Sequence, residues 1–144
     1  MPEPELDLKG PVIGAAVVVW RGDEVLLVRR GKAPRKGEWS LPGGHQQIGE
    51  TVRDCALREL KEETGLSAEI LGLVDVVDAI YRDESGGVAQ HFTLIDFAAR
   101  LTGGELRAGD DAADARWHAD SALDRLGLWS ETLRVIRAAR AFWA

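Results

Sequence analysis

The 144-residue chain has little cysteine, no long apolar run and no excess of basic charge. Cys55 is its only cysteine, which excludes an intramolecular disulfide, and its place in a predicted helix favours a buried, inert thiol. The longest apolar run, VIGAAVVVW, is about half the length that crosses a bilayer. The acidic start MPEPELDLKG is unlike the basic start of a signal peptide. We therefore expect a cytoplasmic protein that does not bind membranes.

The charge balance also limits the partners. A net charge of −6 and a pI of about 5.1 exclude a global attraction to nucleic acid, although local cations or bound metals still allow polyphosphate binding. The composition, with 45% hydrophobic and 29% charged residues, is typical of a soluble globular protein. Without a repeat or a long linker, this length predicts a single domain over residues 1–144.

The first half of the chain predicts strands and then one helix. Val12–Trp20 and Glu24–Arg29 are rich in valine and leucine and flank RGD, so they predict a hairpin. GKAPRKGEW predicts a loop, and Ser40–Leu41 a short strand. From Glu50 or Thr51 to Thr64 the pattern is helical, with Thr51 as the cap and Gly65 as the stop.

The second half predicts further strands and a terminal helix. SAEILGLVDVVDAIYR predicts one bent strand or two, VAQHFTLIDFAARL alternates as a strand, and ESGG between them predicts a turn. DARWH predicts another short strand. SETLRVIRAARAFWA has Leu133, Ile136 and Ala139 at the spacing of an amphipathic helix. This order predicts an α/β (α+β) fold with a mixed β-sheet sandwiched between helices, and not a regular βαβ array.

The early helix is unusual because three glutamates share one of its faces. At about 100° per residue, Glu59, Glu62 and Glu63 fall within one arc. The apolar residues Ala56, Leu57 and Leu60 occupy the neighbouring arc and are expected to dock on the sheet. Like charges this close cost a few tenths of a kcal/mol per pair, roughly, and a hard divalent cation would relieve that repulsion. A solvated acidic face is the alternative.

The spacing around these glutamates matches a known motif. The segment is GGHQQIGETVRDCALRELKEETGL. From its second glycine, Gly44, five residues lead to Glu50, and seven more lead to the sequence Arg-Glu-Leu at 58–60. After one further residue comes Glu-Glu at 62–63, and after another comes Gly-Leu at 65–66. The segment resembles the Nudix box of the Nudix hydrolase family at every defined position, and the preceding WSLPG is similar to the family's lead-in. The resemblance implies a Nudix fold.

The resemblance also implies a divalent-metal site, with Mg²⁺ as the expected ion and Mn²⁺ as the alternative. Glu59 and Glu63 correspond to glutamates that bind metal, and Glu62 to a frequent additional ligand. Arg58 corresponds to an arginine that holds a glutamate in place, and it lies four residues before Glu62.

Other members of the expected site rest on weaker correspondences. Glu50 matches a position in the outer shell of the metal or in the metal site itself, and Gly43 one whose carbonyl binds metal. The general base of the family is either a box glutamate or an acid in a later loop. Asp110 and Asp111 in RAGDDAAD lie where such a loop is expected, and Glu84 is another candidate. A solvated turn is the alternative for each of these three acids.

Candidate substrate contacts lie before and after the box. A basic cluster beginning with Arg29 and Arg30 is suited to a terminal phosphate, with a solvated loop as the alternative. Trp39, Tyr81 and Phe92 are candidates for stacking on a nucleobase, with a place in the core as the alternative.

The box implies a reaction but leaves the substrate open. Nudix hydrolases cleave a nucleoside diphosphate linked to another group, so we expect Mg²⁺-dependent hydrolysis of a diphosphate linkage in a small nucleotide. VRRGKAPRKGEWSLPGG and DDAADARWH resemble short bacterial ADP-ribose pyrophosphatases, which favours ADP-ribose or a related nucleotide sugar. Those enzymes tend to have a proline where this chain has DAIYR. The alternatives are (deoxy)nucleoside triphosphates, including oxidised ones, and dinucleoside polyphosphates.

The same residues disfavour two further classes of protein. A catalytically silent Nudix domain that only binds a ligand would be expected to lack box glutamates, and this chain has them all. A hydrolase of capped RNA is disfavoured by the acidic pI and the absence of a long basic stripe. A homodimer is compatible with the sequence, since the apolar end FWA is available for one.

Overall fold

The structure, a computed structural model, describes residues 10–33, 35–109 and 112–143. No helix within these ranges has both the length and the apolar character needed to span a bilayer. In chain order the elements are β1 (Val12–Val18), β2 (Trp20–Arg21), β3 (Glu24–Arg30), β4 (Trp39–Ser40), β5 (Gly43–His45), α1 (Val52–Thr64), β6 (Leu66–Arg82), β7 (Val88–Gly104), β8 (Ala112–Ala119), a 3₁₀ helix (Asp120–Arg125), α2 (Ser130–Ala138) and a second 3₁₀ helix (Ala139–Trp143).

The strands form two sheets. The first has the order β5-β1-β7-β6, in which β1 and β7 are parallel and the other neighbours antiparallel. The second contains β2, β3 and β4, and β8 pairs with β3 on its other side. The first sheet is therefore mixed, as expected for the predicted α+β class.

The first sheet is covered on both faces. On one face α1 packs against it through Cys55, Ala56 and Leu60, which are fully buried, whereas Leu57 is only half-buried. The opposite face packs against the second sheet and the C-terminal helices. The buried members of this second core are Val18, Trp20, Val25, Leu27, Val77, Ala98, Leu123, Val135, Ile136 and Ala139. The prediction of a sheet sandwiched between helices is confirmed, with the second sheet as an additional layer.

The predicted helix forms where its local signals place it. Thr51 accepts a hydrogen bond from the Asp54 N–H at its Oγ1 (3.0 Å), which satisfies a backbone donor of the first turn. At the other end Gly65 has a φ of 77°, and its N–H donates to the Lys61 carbonyl at 2.9 Å. A left-handed residue with no Cβ ends the helix at this point.

The predicted first hairpin is partly wrong. The turn after Trp20–Arg21 is present, but β1 ends at Val18 and belongs to the other sheet. Val17 and Val18 are both fully buried because β1 lies between α1 and the second sheet. A strand that is buried on both faces has a continuous apolar sequence without alternation, so the sequence does not indicate which strands it pairs with.

The remaining strands differ in their boundaries. β6 is one continuous strand whose register against β7 shifts at several points, which corresponds to the bent-strand alternative. The predicted strand Ser40–Leu41 lies one residue earlier, and the short β5 was not predicted. The terminal helix has the predicted buried positions Ile136 and Ala139, but it becomes a 3₁₀ helix after Ala138.

Candidate active site

A cleft of about 530 Å³ opens between the first sheet, the second sheet and the start of α2. One end is lined by Gly43, Gly44, Glu59 and Glu63, next to the basic residues that follow β3. The other end is lined mainly by apolar and aromatic side chains. The cleft therefore joins an acidic and basic end, suited to phosphates and cations, to an apolar end suited to a ring system.

Arg58 connects the carboxylates of the box. Its Nε and Nη2 donate to both oxygens of Glu50, at 2.6 and 3.0 Å, in a bidentate pair. Its Nη1 donates to Glu59 at 2.9 Å and to Glu62 at 3.1 Å, and Nη2 also reaches the His45 carbonyl. One guanidinium thus offsets the mutual repulsion of three carboxylates.

These contacts shift the ionisation of the pair at the centre. The hydrogen bonds from Arg58 lower the pKa of Glu50 to about 2, with a further contribution from the Gln47 N–H. The same hydrogen bonds raise the pKa of Arg58. Both groups are therefore charged throughout the physiological pH range.

Two glycines let the helix carboxylates approach the sheet edge. The Gly43 N–H donates to Glu63 Oε1 at 2.9 Å. At Gly44, an added Cβ would lie only 2.6 Å from the Glu59 carboxylate oxygens. Any side chain there would displace Glu59, so the absence of one is a geometric requirement of this arrangement.

The carbonyl of Gly43 lies on the same edge. In the antiparallel ladder between β1 and β5, the Val17 N–H donates to the Pro42 carbonyl and the Gln46 N–H to the Ile13 carbonyl. Because hydrogen-bonded pairs alternate with non-hydrogen-bonded ones, the backbone groups of Gly43 point away from β1. Its N–H meets Glu63 there, and its carbonyl points to the same side.

The oxygen groups at this edge are of the kind that a hard cation takes as ligands, but they do not form a dense carboxylate cluster. Within the described ranges, no group of three or more histidine, cysteine, aspartate or glutamate side chains is arranged to hold a metal. Arg58 holds Glu50, Glu59 and Glu62 around itself instead. Two carboxylates and a backbone carbonyl form an all-oxygen set of the kind that Mg²⁺ uses together with waters and substrate phosphates.

Cys55 lies behind this edge. It is fully buried, and its thiol donates to the Gly44 carbonyl at 3.5 Å. Burial raises the pKa of the thiol to about 11, so it is neutral at physiological pH. The prediction of a buried thiol is confirmed.

The predicted substrate contacts all line the cleft. Arg29 places its guanidinium 5.1 Å from the centre of the Trp39 ring. Arg30 lines the same wall. On the opposite wall, the Tyr81 hydroxyl accepts a hydrogen bond from Arg35 Nε at 3.2 Å, so a loop from one side of the cleft reaches the other.

Other predicted residues do not line the cleft or lie outside the described residues. Glu62 and Glu84 are exposed and are not among the residues that line the cleft. Asp110 and Asp111 lie outside the described residues. The preceding Gly109 is described, and its N–H donates to the Glu63 carbonyl at 2.9 Å.

The sequence alone did not single out Asp96, which lines the apolar end of the cleft. It is 6% exposed, and burial raises its pKa to about 7, with a smaller contribution from the charge of Asp75. The sequence contains one signal that points to this residue: Asp96 is an acid in an alternating strand, on the same side as the apolar residues Phe92 and Leu94. The start of α2, with Trp129 and Thr132, also lines the cleft and was not predicted.

Comparison with known proteins defines the family. The model of the NUDIX domain matches residues 10–138. An ADP-ribose pyrophosphatase from Methanocaldococcus jannaschii is 38% identical over 107 residues, which are 74% of this chain and 61% of that protein. The 8-oxo-dGDP phosphatase NUDT18 of Mus musculus is 38% identical over 97 residues, which are 67% of this chain and 27% of that protein.

The solved structures agree with this result. A MutT NUDIX hydrolase from Burkholderia pseudomallei superposes with a TM-score of 0.76 at 30% identity, covering 90% of this chain and 98% of that one. The chain belongs to the Nudix family. It spans 61% of the Methanocaldococcus protein and 27% of the mouse protein, so the resemblance to these curated relatives covers only part of each.

Proposed function

We propose that the protein hydrolyses a diphosphate linkage in a small nucleoside diphosphate derivative, with Mg²⁺ or Mn²⁺ as cofactor. The observation that carries this proposal is the meeting of Glu59, Glu63 and the Gly43 carbonyl at one end of a cleft that also contains Arg29 and Arg30. Oxygen ligands for a cation and guanidinium groups for phosphate oxygens are thus available to the same ligand.

In this proposal each residue of the box has a separate role. Glu59, Glu63 and the Gly43 carbonyl would hold the cation, with Glu62 as an additional ligand, and Arg58 positions Glu59 and Glu62 by hydrogen bonds. When bound, the divalent ion neutralises phosphate oxygens and lowers the pKa of its bound water.

The remaining polar groups act on substrate and proton. Arg29 and Arg30 would bind phosphate oxygens, while Trp39 and Tyr81 form walls for a planar ring. We propose Asp110 or Asp111 as the acceptor of the water proton, with a box glutamate as the alternative.

ADP-ribose or a related nucleotide sugar is the proposed substrate. The 38% identity to an ADP-ribose pyrophosphatase supports it. A second candidate is a (deoxy)nucleoside di- or triphosphate, including oxidised forms. It is favoured by the similar identity to an 8-oxo-dGDP phosphatase.

A hydrolysis screen tests the proposal. The protein is incubated with Mg²⁺ and, separately, ADP-ribose, nucleotide sugars, dinucleoside polyphosphates, and normal and oxidised deoxynucleotides, in ¹⁸O-water. We expect cleavage within a diphosphate linkage and one labelled oxygen in a phosphate product. Tight binding without turnover of any of these compounds, with either Mg²⁺ or Mn²⁺, would instead support a silent ligand-binding domain.

A further inference from the structure

Asp96 is a largely buried acid at the cleft whose carboxyl receives no hydrogen bond from a described residue. Thr64 and Asp96 are the buried polar residues of the described ranges. Thr64 donates its hydroxyl to the Leu60 carbonyl at 2.7 Å, so its burial is compensated. No hydrogen bond from a described residue reaches the Asp96 carboxyl, which lines the cleft. The carboxyl is not sealed in the core: among the described residues the one enclosed side-chain polar atom without a hydrogen-bond partner is His118 Nδ1, so the Asp96 oxygens open onto the cleft, where a ligand can reach them.

The neighbours of Asp96 do not supply a hydrogen-bond partner. Its Cα partners are Ala16 on β1, which carries no charge, and Asp75 on β6, whose charge repels it. From α2, the charge of Arg134 acts on it, but this guanidinium donates to Asp75 and Glu131, each at 2.9 Å. The cation that acts on Asp96 is thus engaged by two half-buried acids, and Asp96 faces the apolar end of the cleft.

The position of Asp96 relative to the diphosphate end is defined by the sheet. Gly43, Ala16 and Asp96 are consecutive partners across β5, β1 and β7. They lie in one row, so Asp96 is two strand spacings, about 10 Å, from the glycine beside the cation ligands. If the diphosphate lies at that glycine, as the proposed function requires, the sugar spans the gap and the base reaches Asp96.

We propose that Asp96 selects the nucleobase by hydrogen bonding to its polar edge. An ionised carboxylate accepts two hydrogen bonds side by side, which matches the adjacent N1–H and N2–H donors of guanine or 8-oxoguanine. A neutral carboxyl donates one and accepts one, which matches N1 and the N6 amino group of adenine. Phe92, Leu94 and Val77 line the same cleft, and Leu94 and Val77 belong to the adjoining core, so they would shield this pair of hydrogen bonds from water.

The ionisation of Asp96 then decides which base is preferred. Its pKa is raised to about 7 by burial and by Asp75, and lowered in part by Arg134. Both forms are therefore populated near neutral pH. Adenine is favoured below this pKa and guanine above it, so one cleft accepts both bases and changes its preference with pH.

Binding of nucleoside monophosphates tests the proposal without hydrolysis or metal. AMP and GMP are titrated in EDTA between about pH 5.5 and about pH 8.5, a range that spans the carboxyl titration, with tryptophan fluorescence from Trp39 and Trp129 as the signal. In the unmodified protein we expect the GMP-to-AMP affinity ratio to rise about tenfold over this range. A ratio that stays constant overturns the proposal, whatever any variant does.

Two variants separate base selection from a structural role. Asp96→Asn keeps the shape but presents one donor and one acceptor at every pH, so it should prefer AMP with no pH dependence. Asp75→Asn, the matched control, should keep the change in preference but move its midpoint to lower pH, because it removes a repelling charge. If Asp96→Asn, with an unchanged circular dichroism spectrum, keeps the preference of the unmodified protein, Asp96 does not contact the base.

Failure of this inference is distinguishable from failure of the proposed function. The binding experiment contains no divalent ion and measures no turnover. Hydrolysis of both adenine and guanine derivatives with a pH-independent base preference would retain the proposed function and reject the role of Asp96. A pH-dependent preference without hydrolysis would retain the role of Asp96 and reject the enzyme.

Discussion

At the scale of single residues, the two box glutamates that line the cleft differ from the two that do not. Glu59 and Glu63 reach the glycines of β5, whereas Glu50 and Glu62 lie outside the cleft lining and contact Arg58. A residue that lines the cleft is expected to affect turnover directly. Glu50, which accepts hydrogen bonds from Arg58 and the Gln47 N–H, is expected to act through the position of its neighbours.

Glu63→Gln is therefore expected to lower kcat/KM for the best substrate of the screen by about 100-fold or more, because it removes a charged cation ligand. The amide can still accept the Gly43 N–H, so the fold and the melting temperature should change little. Steady-state kinetics over a range of Mg²⁺ concentrations measure the effect.

The matched control is Glu69→Gln, which changes an exposed glutamate paired with Arg100 on the first sheet. It should retain full activity. Near-normal activity of Glu63→Gln, equal to that of the control, would remove Glu63 from the proposed metal site.

Asp96 makes a prediction about stability that is independent of any ligand. Its carboxyl has a pKa of about 7 in the folded protein against an ordinary value of 3.8. Between these values the folded state binds more protons than the unfolded state, so stability falls as the pH rises from about 4 to about 7. Asp96→Asn removes this loss and should be more stable at pH 8 by up to about 4 kcal/mol, with little gain at pH 4. Urea unfolding at the two pH values measures it, and an equal effect at both would contradict the buried, neutral carboxyl.

At the scale of elements, the early helix was predictable and the first strand was not. Thr51, the apolar face of α1 and Gly65 are local signals, and each is used in the structure as the sequence indicates. The pairing of β1 with β7, more than seventy residues later, depends on contacts that no local pattern encodes. The burial of Asp96 could not be predicted for the same reason, because it depends on β6 and α2, which are distant in sequence from β7 or join it only in the folded chain. The sequence shows only that an acid stands among apolar residues on one side of a strand.

The close approach of α1 to β5 is itself testable through Gly44. Gly44→Ala places a Cβ where the Glu59 carboxylate lies and should cost about 1–3 kcal/mol as overpacking. We also expect Glu59 to move away from the cleft, so activity should require more Mg²⁺ for half-saturation. Gly103→Ala in β7, where no atom lies within 4 Å of the added Cβ, is the control. An unchanged Mg²⁺ requirement in Gly44→Ala would show that Glu59 need not occupy this position.

At the scale of the whole molecule, an acidic protein presents a cleft with cations along one wall. The chain has a net charge of −6, yet Arg29, Arg30, Lys32 and Arg35 all line the cleft. The carboxylates come from the first sheet and its helix, and these cations from the second sheet and the loop after it. Substrate binding in this proposal therefore requires both sheets, and neither half alone forms the site.

Replacing Arg29 and Arg30 by alanine should raise KM about tenfold for substrates with three or more phosphates, with a smaller change in kcat. These guanidinium groups contact phosphate oxygens in the ground state as well as in the transition state. Arg116→Ala, on β8 of the same sheet but paired with Asp114 outside the cleft lining, controls for the loss of charge. An unchanged KM in the double variant would support the solvated-loop alternative.

The single thiol offers a measurement of motion. Cys55 is fully buried between α1 and β5, and no other cysteine is present in the chain. A thiol reagent can reach it only when the helix separates from the sheet, so the rate of alkylation reports how often that opening occurs. A cation that joins Glu59 and Glu63 to the Gly43 carbonyl would clamp the two elements together. Alkylation should then slow on addition of Mg²⁺ and a non-hydrolysable substrate analogue. The rate of Cys55 alkylation would thus report how often α1 separates from β5 with and without a ligand in the site.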